Sequence, residues 1–320
     1  MDNQLSKYSL GKQMKPKGKI QTVGIVGCGS VGQQVGLQVA TYGVDVVFLD
    51  VSKERINEIF VSLEEQLDDI INHWGITSSE KRLILSRIQG TTVYSDLKGC
   101  DIVIETISSR QRGTLIELRR EIFKKVENVV REDTVISSNL STLMISDLAR
   151  VLKVKDRALG VHFLEPVDKT HIIEVMRCMS TSDKTLETFT RFARMINKRV
   201  VSIHESPGNI STRILLPVFN EACEVLMEGV ASVKDIDDTM KEIMGYNVGP
   251  FELADRIGLD KVLKYMDNLY AEYGERKYKA SPILKRLVRA NFLGKHTGKG
   301  FYNYESGKPV SNTISCAIIK

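Results

Sequence analysis

No stretch of the sequence approaches the roughly 18–20 consecutive apolar residues that cross a bilayer, and residues 1–19 lack the apolar core of a secretory signal. A cytoplasmic protein with no membrane partner is therefore expected. Cysteine is sparse and unpatterned: Cys28, Cys100, Cys178, Cys223 and Cys316 are scattered without CxxC spacing. An odd set of this kind suits free thiols in a reducing compartment, so neither a disulfide framework nor a metal site is expected. Net charge is low as well, at +5, and Lys7, Lys12, Lys15, Lys17 and Lys19 are enough to account for most of it. No basic stripe interleaved with aromatic residues accompanies that charge, which argues against a nucleic-acid partner. Internal repeats and low-complexity tracts are also missing.

What remains is ordinary globular material, 42% hydrophobic and 27% charged, which predicts a packed core. A single core stops growing at about 250–300 residues, so 320 residues favour two domains. Residues 1–19 are expected to form a flexible tail. Residues 20–26 read as a buried strand that runs into Gly27-Cys28-Gly29-Ser30-Val31-Gly32. Val31, Val35 and Val39 then recur at every fourth position beside a row of Gly32, Gly36 and Ala40, as a helix packed closely on a sheet requires. A second strand at 44–50 closes a βαβ unit within about thirty residues.

Two helices at 52–74 and 78–88 follow as an excursion. Strands at 101–105 and 134–138, separated by an amphipathic segment at 114–129, resume the alternation that builds a parallel sheet. Further strands are predicted at 158–163, 171–176 and 199–203, with a helix at 183–197. Turn residues Glu205-Ser206-Pro207-Gly208 interrupt the pattern. Beyond them helices are predicted at 209–228, 232–244, 251–273 and 282–290, followed by the short Gly300-Phe301-Tyr302 segment.

The glycine cluster carries chemistry because of its context. Gly27 permits a tight turn, Gly29 lets the backbone approach a pyrophosphate and Gly32 allows close packing, while the helix start at Ser30 and Val31 offers N–H groups to an anion. Asp50, eighteen residues after Gly32, ends the second strand where a carboxylate can accept ribose hydroxyls. Such a carboxylate repels a 2′-phosphate, so NAD is the predicted cofactor; Lys53 and Arg55 nearby keep NADP as the alternative. The predicted fold class is α/β: a mostly parallel Rossmann sheet over residues 20–205, followed by an all-α substrate and dimerisation domain over 206–320.

Several further motifs occur in order between residues 20 and 304: Val23-Gly24-Ile25-Val26-Gly27-Cys28-Gly29, Ser138-Asn139-Leu140-Ser141, Gly160-Val161-His162-Phe163 with Glu174 following, Gly249-Pro250-Phe251-Glu252-Leu253, and Gly298-Lys299-Gly300-Phe301-Tyr302. With them the sequence resembles the 3-hydroxyacyl-CoA dehydrogenase family. The resemblance implies NAD-dependent, reversible oxidation of an L-3-hydroxyacyl thioester to the 3-oxoacyl thioester, CoA as the carrier, and a homodimer formed through the second domain. Glu105, at the end of the strand at 101–105, is included with the cofactor-binding residues.

Oxidising a secondary alcohol by hydride transfer needs a base for the hydroxyl proton and donors for the developing oxyanion. The sequence has five histidines. His73 and His204 fall in surface segments, His171 begins a strand and His296 lies in a Lys/Gly-rich turn. His162 ends a strand on the side where ligands bind such a sheet. Glu174 lies on the next strand, where a tight return brings its carboxylate to the second imidazole nitrogen. Ser141 follows the strand at 134–138, placed to donate to the substrate oxygen. Taken alone, His162 reads more readily as a satisfied structural histidine than as a base; with Ser141 and Glu174 beside it and the resemblance, which implies these roles for all three, the catalytic reading is favoured.

Several places depart from the family pattern, among them the segment 106–113 after Glu105, which lacks the family's second Glu and is about five residues longer. Glu165 replaces an Asn in His162-Phe163-Leu164-Glu165-Pro166, and Thr212 replaces another in Pro207-Gly208-Asn209-Ile210-Ser211-Thr212-Arg213. His296 stands where the family has a lysine that helps hold CoA, and the turn at 72–77 contains no lysine. Ser141, Glu165, Thr212 and His296 are accordingly assigned to the substrate, with Thr212 also in the catalytic set. The missing lysines leave room for a rival substrate, a small polar acyl group on an acyl-carrier protein docked against Arg110, Arg112, Arg119, Arg120, Lys124 and Lys125. A catalytically silent NAD-binding protein is the rival of another class, and retention of Ser141, His162 and Glu174 speaks against it.

Overall fold

The computed structural model describes residues 20–73, 75–108, 115–305 and 307–312. The expected flexible tail, Arg110, Arg112 and Cys316 lie outside the described residues. The chain divides into two compact units. One holds the described residues up to Ser108 with Leu115–Leu140 and Met144–Glu205; the other holds Ser141–Leu143 and the described residues from Ser206 onward.

The first unit is built on an eight-stranded sheet. Its strands are β1 (Thr22–Val26), β2 (Asp45–Leu49), β3 (Ile88–Thr91), β4 (Ile102–Glu105), β5 (Val135–Asn139), β6 (Ala158–Phe163), β7 (Ile172–Arg177) and β8 (Arg199–His204), in the spatial order β3-β2-β1-β4-β5-β6-β7-β8. Every neighbouring pair is parallel except β6 and β7. Helices α1 (Ser30–Thr41), α2 (Lys53–Asn72), α3 (Ser78–Ser86), α4 (Ile116–Glu127), the short α5 (Ser146–Ala149) and α6 (Asp183–Met195) accompany it. Strands covered on both faces read as continuous apolar runs, and Val23, Ile25, Val46, Phe48, Ile102, Ile104, Leu159, Val161, Ile173 and Val175 all enter one buried core. The order places the ends of β1 and β4 side by side, where Rossmann sheets open to ligands.

Two local expectations are corrected. The helix predicted over 78–88 ends at Ser86, and Ile88–Thr91 leaves it to pair with β2, with Phe48 opposite Gly90. The helix predicted over 251–273 is two helices, α9 (Pro250–Ile257) and α10 (Leu259–Tyr273), broken at Gly258, whose φ of 101° no helix contains.

In the second unit α7 (Ile210–Met227), α8 (Val233–Met244), α9, α10 and α11 (Pro282–Arg289) surround a core that includes Leu216, Phe219, Phe251, Met266, Leu269 and Phe301. A hairpin of β9 (Tyr302–Glu305) and β10 (Lys308–Asn312) closes the described chain. Two fully buried aspartates tie these pieces together. Asp237 accepts the N–H groups of Phe251 and Glu252 at 2.8 and 2.9 Å and the Tyr302 hydroxyl at 3.0 Å. Asp255 accepts the N–H groups of Phe301 and Tyr302 at 2.9 and 3.0 Å and the Tyr304 hydroxyl at 2.9 Å. The Gly-Pro-Phe-Glu-Leu and Gly-Lys-Gly-Phe-Tyr motifs are thus the two sides of one carboxylate-stapled joint. Among the described residues no helix is long and apolar enough to cross a membrane and no cluster of side chains fits a metal ion.

Candidate active site

The turn between β1 and α1 has the form the sequence demands. Gly27 has a φ of 84°, and a Cβ on Gly32 would come within 2.6 Å of the Gly27 carbonyl oxygen, so both positions exclude a side chain. α1 starts at Ser30 directly behind this turn with no side-chain cap on its first N–H groups. An uncapped helix start behind a glycine turn is a cradle for an anion, with the N–H groups of Ser30, Val31 and Gly32 on its first turn. Half-buried Asp50 follows the end of β2 and accepts the N–H groups of Cys28 and Val51, both at 2.8 Å. It therefore braces the turn from the position where a ribose is bound in such folds. These residues fit the diphosphate and ribose of a dinucleotide.

A side chain the sequence reading missed locks this turn. Gln33 is buried, donates to the Cys28 carbonyl at 3.1 Å, and accepts from Ser62 Oγ and Gln66 Nε2 of α2, each at 2.9 Å. The available signal was an amide on the apolar face of α1 and a Ser/Gln pair four residues apart on α2. Thr106 supports the turn from the other side by donating to the Gly27 carbonyl.

Glu105, expected among the cofactor-binding residues, ends β4 beside this turn. It is 1% exposed, and its carboxylate accepts from the Arg119 guanidinium, Ser138 Oγ and, at 2.5 Å, the Ile107 N–H. Burial raises its pKa, against the lowering by Arg119 and these hydrogen bonds. Through these bonds it joins β4, β5 and α4 behind the cofactor turn.

His162 and Glu174 face each other because β6 and β7 pair antiparallel in a register that sets these two residues opposite. Imidazole Nδ1 lies 2.8 Å from Glu174 Oε2, with side chains 14% and 5% exposed. A carboxylate at Nδ1 selects the tautomer protonated there, which makes Nε2 the proton acceptor. The end of β5 is fixed beside them: Asn139 Oδ1 accepts the Phe163 N–H at 3.0 Å and Leu140 N–H donates to the Val161 carbonyl at 2.8 Å. Ser141 follows directly, but it clusters with the helical unit, where its carbonyl accepts the Asn209 N–H at 3.4 Å. Thr212, one turn into α7 from Asn209, is buried.

The remaining substrate assignments separate. His296 is exposed in the turn Lys295–Thr297, and its ring Cε1 lies 3.5 Å from where a Cβ of Gly258 would stand. Glu165 reaches α1, with Oε2 3.3 Å from Ser30 Oγ and 3.4 Å from Gln34 Nε2, so its surroundings are those of the cofactor turn. The basic segment is largely committed within the fold. Arg119 pairs with Glu105, Arg120 with Glu117 and Asp147, and Lys125 lies over the Tyr94 ring.

Similarity to known proteins follows the same division. The family model described as the 3-hydroxyacyl-CoA dehydrogenase NAD binding domain matches residues 22–206, and that of the C-terminal domain matches 208–304. A 3-hydroxybutyryl-CoA dehydrogenase of Clostridioides difficile is 36% identical over 280 residues, covering 88% of this chain and 98% of that protein. The human mitochondrial hydroxyacyl-coenzyme A dehydrogenase is 31% identical over 89% of this chain and 92% of its own length. The crystal structure of an (S)-3-hydroxybutyryl-CoA dehydrogenase from Ralstonia eutropha superposes with a TM-score of 0.80 at 37% identity, covering 90% of this chain and all of that one. A glycine-turn Rossmann unit, a histidine–glutamate pair at its open edge and a helical second unit, matched by both family models, place this chain in the 3-hydroxyacyl-CoA dehydrogenase family.

Proposed function

We propose that His162 is the acid–base group of an NAD-dependent, reversible oxidation of an L-3-hydroxyacyl-CoA to the 3-oxoacyl-CoA. The observation that carries this reading is the His162–Glu174 pair, an imidazole held by a nearly buried carboxylate across an antiparallel register. Bound at the Gly27–Gly32 turn, NAD⁺ supplies the hydride acceptor. In the oxidation His162 Nε2 takes the hydroxyl proton as the C–H hydride leaves, and in the reduction it returns that proton to the carbonyl oxygen. Glu174 holds Nδ1 protonated and stabilises the imidazolium. Ser141 and Thr212 are proposed to donate hydrogen bonds to the substrate oxygen and acyl group. Residues 20–205 would then serve as the cofactor domain and 206–320 as the substrate and dimerisation domain. A homodimer is proposed from Ile210 and Ile214, one turn apart on α7 and 47% and 60% exposed. A light-scattering mass of one chain would count against it.

Relatives named for 3-hydroxybutyryl-CoA favour a short acyl group on CoA. A carrier-protein substrate is a second reading, favoured by His296 in place of a phosphate-binding lysine and weakened by the internal commitments of Arg119 and Arg120. Turnover of acetoacetyl-CoA and of the same acyl group on a carrier protein, followed by NADH absorbance, tests both. Saturable turnover of the CoA ester supports the first reading; a strong preference for the carrier thioester supports the second. No turnover of any 3-oxoacyl or 3-hydroxyacyl thioester would leave a silent NAD-binding protein.

A further inference from the structure

Glu165 stands three residues after His162 on a loop whose backbone is held from two sides. Gln34 Oε1 accepts the Val167 N–H at 2.9 Å, and Thr170 Oγ1 donates to the Leu164 carbonyl at 2.8 Å. The buried Lys198 ammonium donates to the carbonyl oxygens of Val167 and Thr170. On this fixed loop the exposed Glu165 side chain turns towards α1, where Oε2 accepts from Ser30 Oγ at 3.3 Å and from Gln34 Nε2 at 3.4 Å. Gln34 Nε2 also donates to Ser30 Oγ at 3.3 Å, which closes a three-residue ring of hydrogen bonds. Ser30 is the first residue of α1, which starts with no side-chain cap. A carboxylate here answers the same partial positive charge that a diphosphate would, and two anions at one helix end repel.

We propose that Glu165 is a resident anion on the first turn of α1 that competes with the diphosphate of the dinucleotide and so sets cofactor affinity, in place of the acyl-group contact expected from the sequence. The inference rests on the reading that the Gly27–Gly32 turn and α1 hold NAD. On binding, the carboxylate either leaves Ser30 and Gln34, losing two hydrogen bonds, or stays and repels the incoming phosphates. Both routes weaken binding, and both are relieved when the side chain keeps its size and acceptor oxygen but loses its charge. Every ligand that carries the diphosphate is affected alike, whatever the redox state of the nicotinamide.

Calorimetric titration of the full chain with NAD⁺, NADH, ADP-ribose and adenosine, in wild type, Glu165→Gln and Glu165→Asp, tests this. Glu165→Gln is expected to tighten the three diphosphate ligands by about tenfold each, the equivalent of ~1.4 kcal/mol, and to leave adenosine unchanged. Glu165→Asp, which keeps the charge, stays near wild type, and added salt narrows the gap between wild type and Glu165→Gln. Equal affinities in wild type and Glu165→Gln overturn the proposal, as does a change confined to NAD⁺, which would put the carboxylate against the nicotinamide cation. Failure of both proteins to bind NADH at all would refute the cofactor site itself, a result distinct from equal binding.

Discussion

Replacing Glu174 with glutamine removes one charge from the His162–Glu174 pair and changes little else in shape. When His162 takes the substrate proton, an imidazolium forms with Nδ1 2.8 Å from the carboxylate. Opposite charges about 4 Å apart attract by ~1 kcal/mol in water and by ~4 kcal/mol at the effective dielectric of a protein site. With side chains 14% and 5% exposed, the pair belongs nearer the second value. A loss of about 2–4 kcal/mol from the transition state corresponds to about 30- to 1,000-fold in kcat. Glutamine adds a second handicap, because its amide N–H can donate to Nδ1 and favour the tautomer protonated at Nε2, the wrong one for taking a proton. The assay is NADH formation from 3-hydroxybutyryl-CoA, with thermal melting to confirm folding and NADH affinity measured separately. Glu174→Asp keeps the charge and should recover part of the lost rate. A folded Glu174→Gln enzyme within about threefold of the wild-type kcat would show that the carboxylate does not assist the base.

Asp50→Ala should weaken NAD⁺ binding by about 10- to 100-fold, through lost ribose hydrogen bonds and a loosened Cys28 turn, and unchanged affinity by calorimetry would contradict the assignment. Asp255, lifted to about 6 by burial, binds its proton more tightly folded than unfolded, so its stabilising contribution is complete below about 4 and is lost as pH rises through about 6. The stability of wild type relative to Asp255→Asn should therefore fall by about 2–3 kcal/mol between pH 4 and 7 in urea titrations, and a constant difference would refute this.

The β1–turn–α1–β2 unit was legible because its causes are local: a positive φ at Gly27, a small-residue row on α1 and strand-like apolar runs on either side. β3 was not. Ile84 and Ile88 fall at helical spacing, no Gly or Pro separates them, and only pairing with β2, distant in sequence, makes Ile88–Thr91 a strand. Gly258 hid inside an apolar period that continues through α9 and α10, where its φ of 101° breaks the helix. In the site, His162 and Glu174 were readable since twelve residues suffice for a return between adjacent strands. The direction of a carboxylate at a strand end was not. Arg119, fourteen residues on, pairs with Glu105 in the interior, and Ser30 and Gln34 on α1 donate to Glu165. The partners that orient each acid come from other elements, which its neighbours along the chain do not reveal.

Turnover of His162→Ala, measured alongside its NADH affinity, tests whether His162 moves the substrate proton. The expected result is a fall in kcat of about 10²–10⁴-fold, the usual worth of a positioned acid–base group, with NADH binding within about threefold of wild type. A folded His162→Ala protein that retains most of the wild-type rate would remove this histidine from the mechanism and, with it, the role given to Glu174.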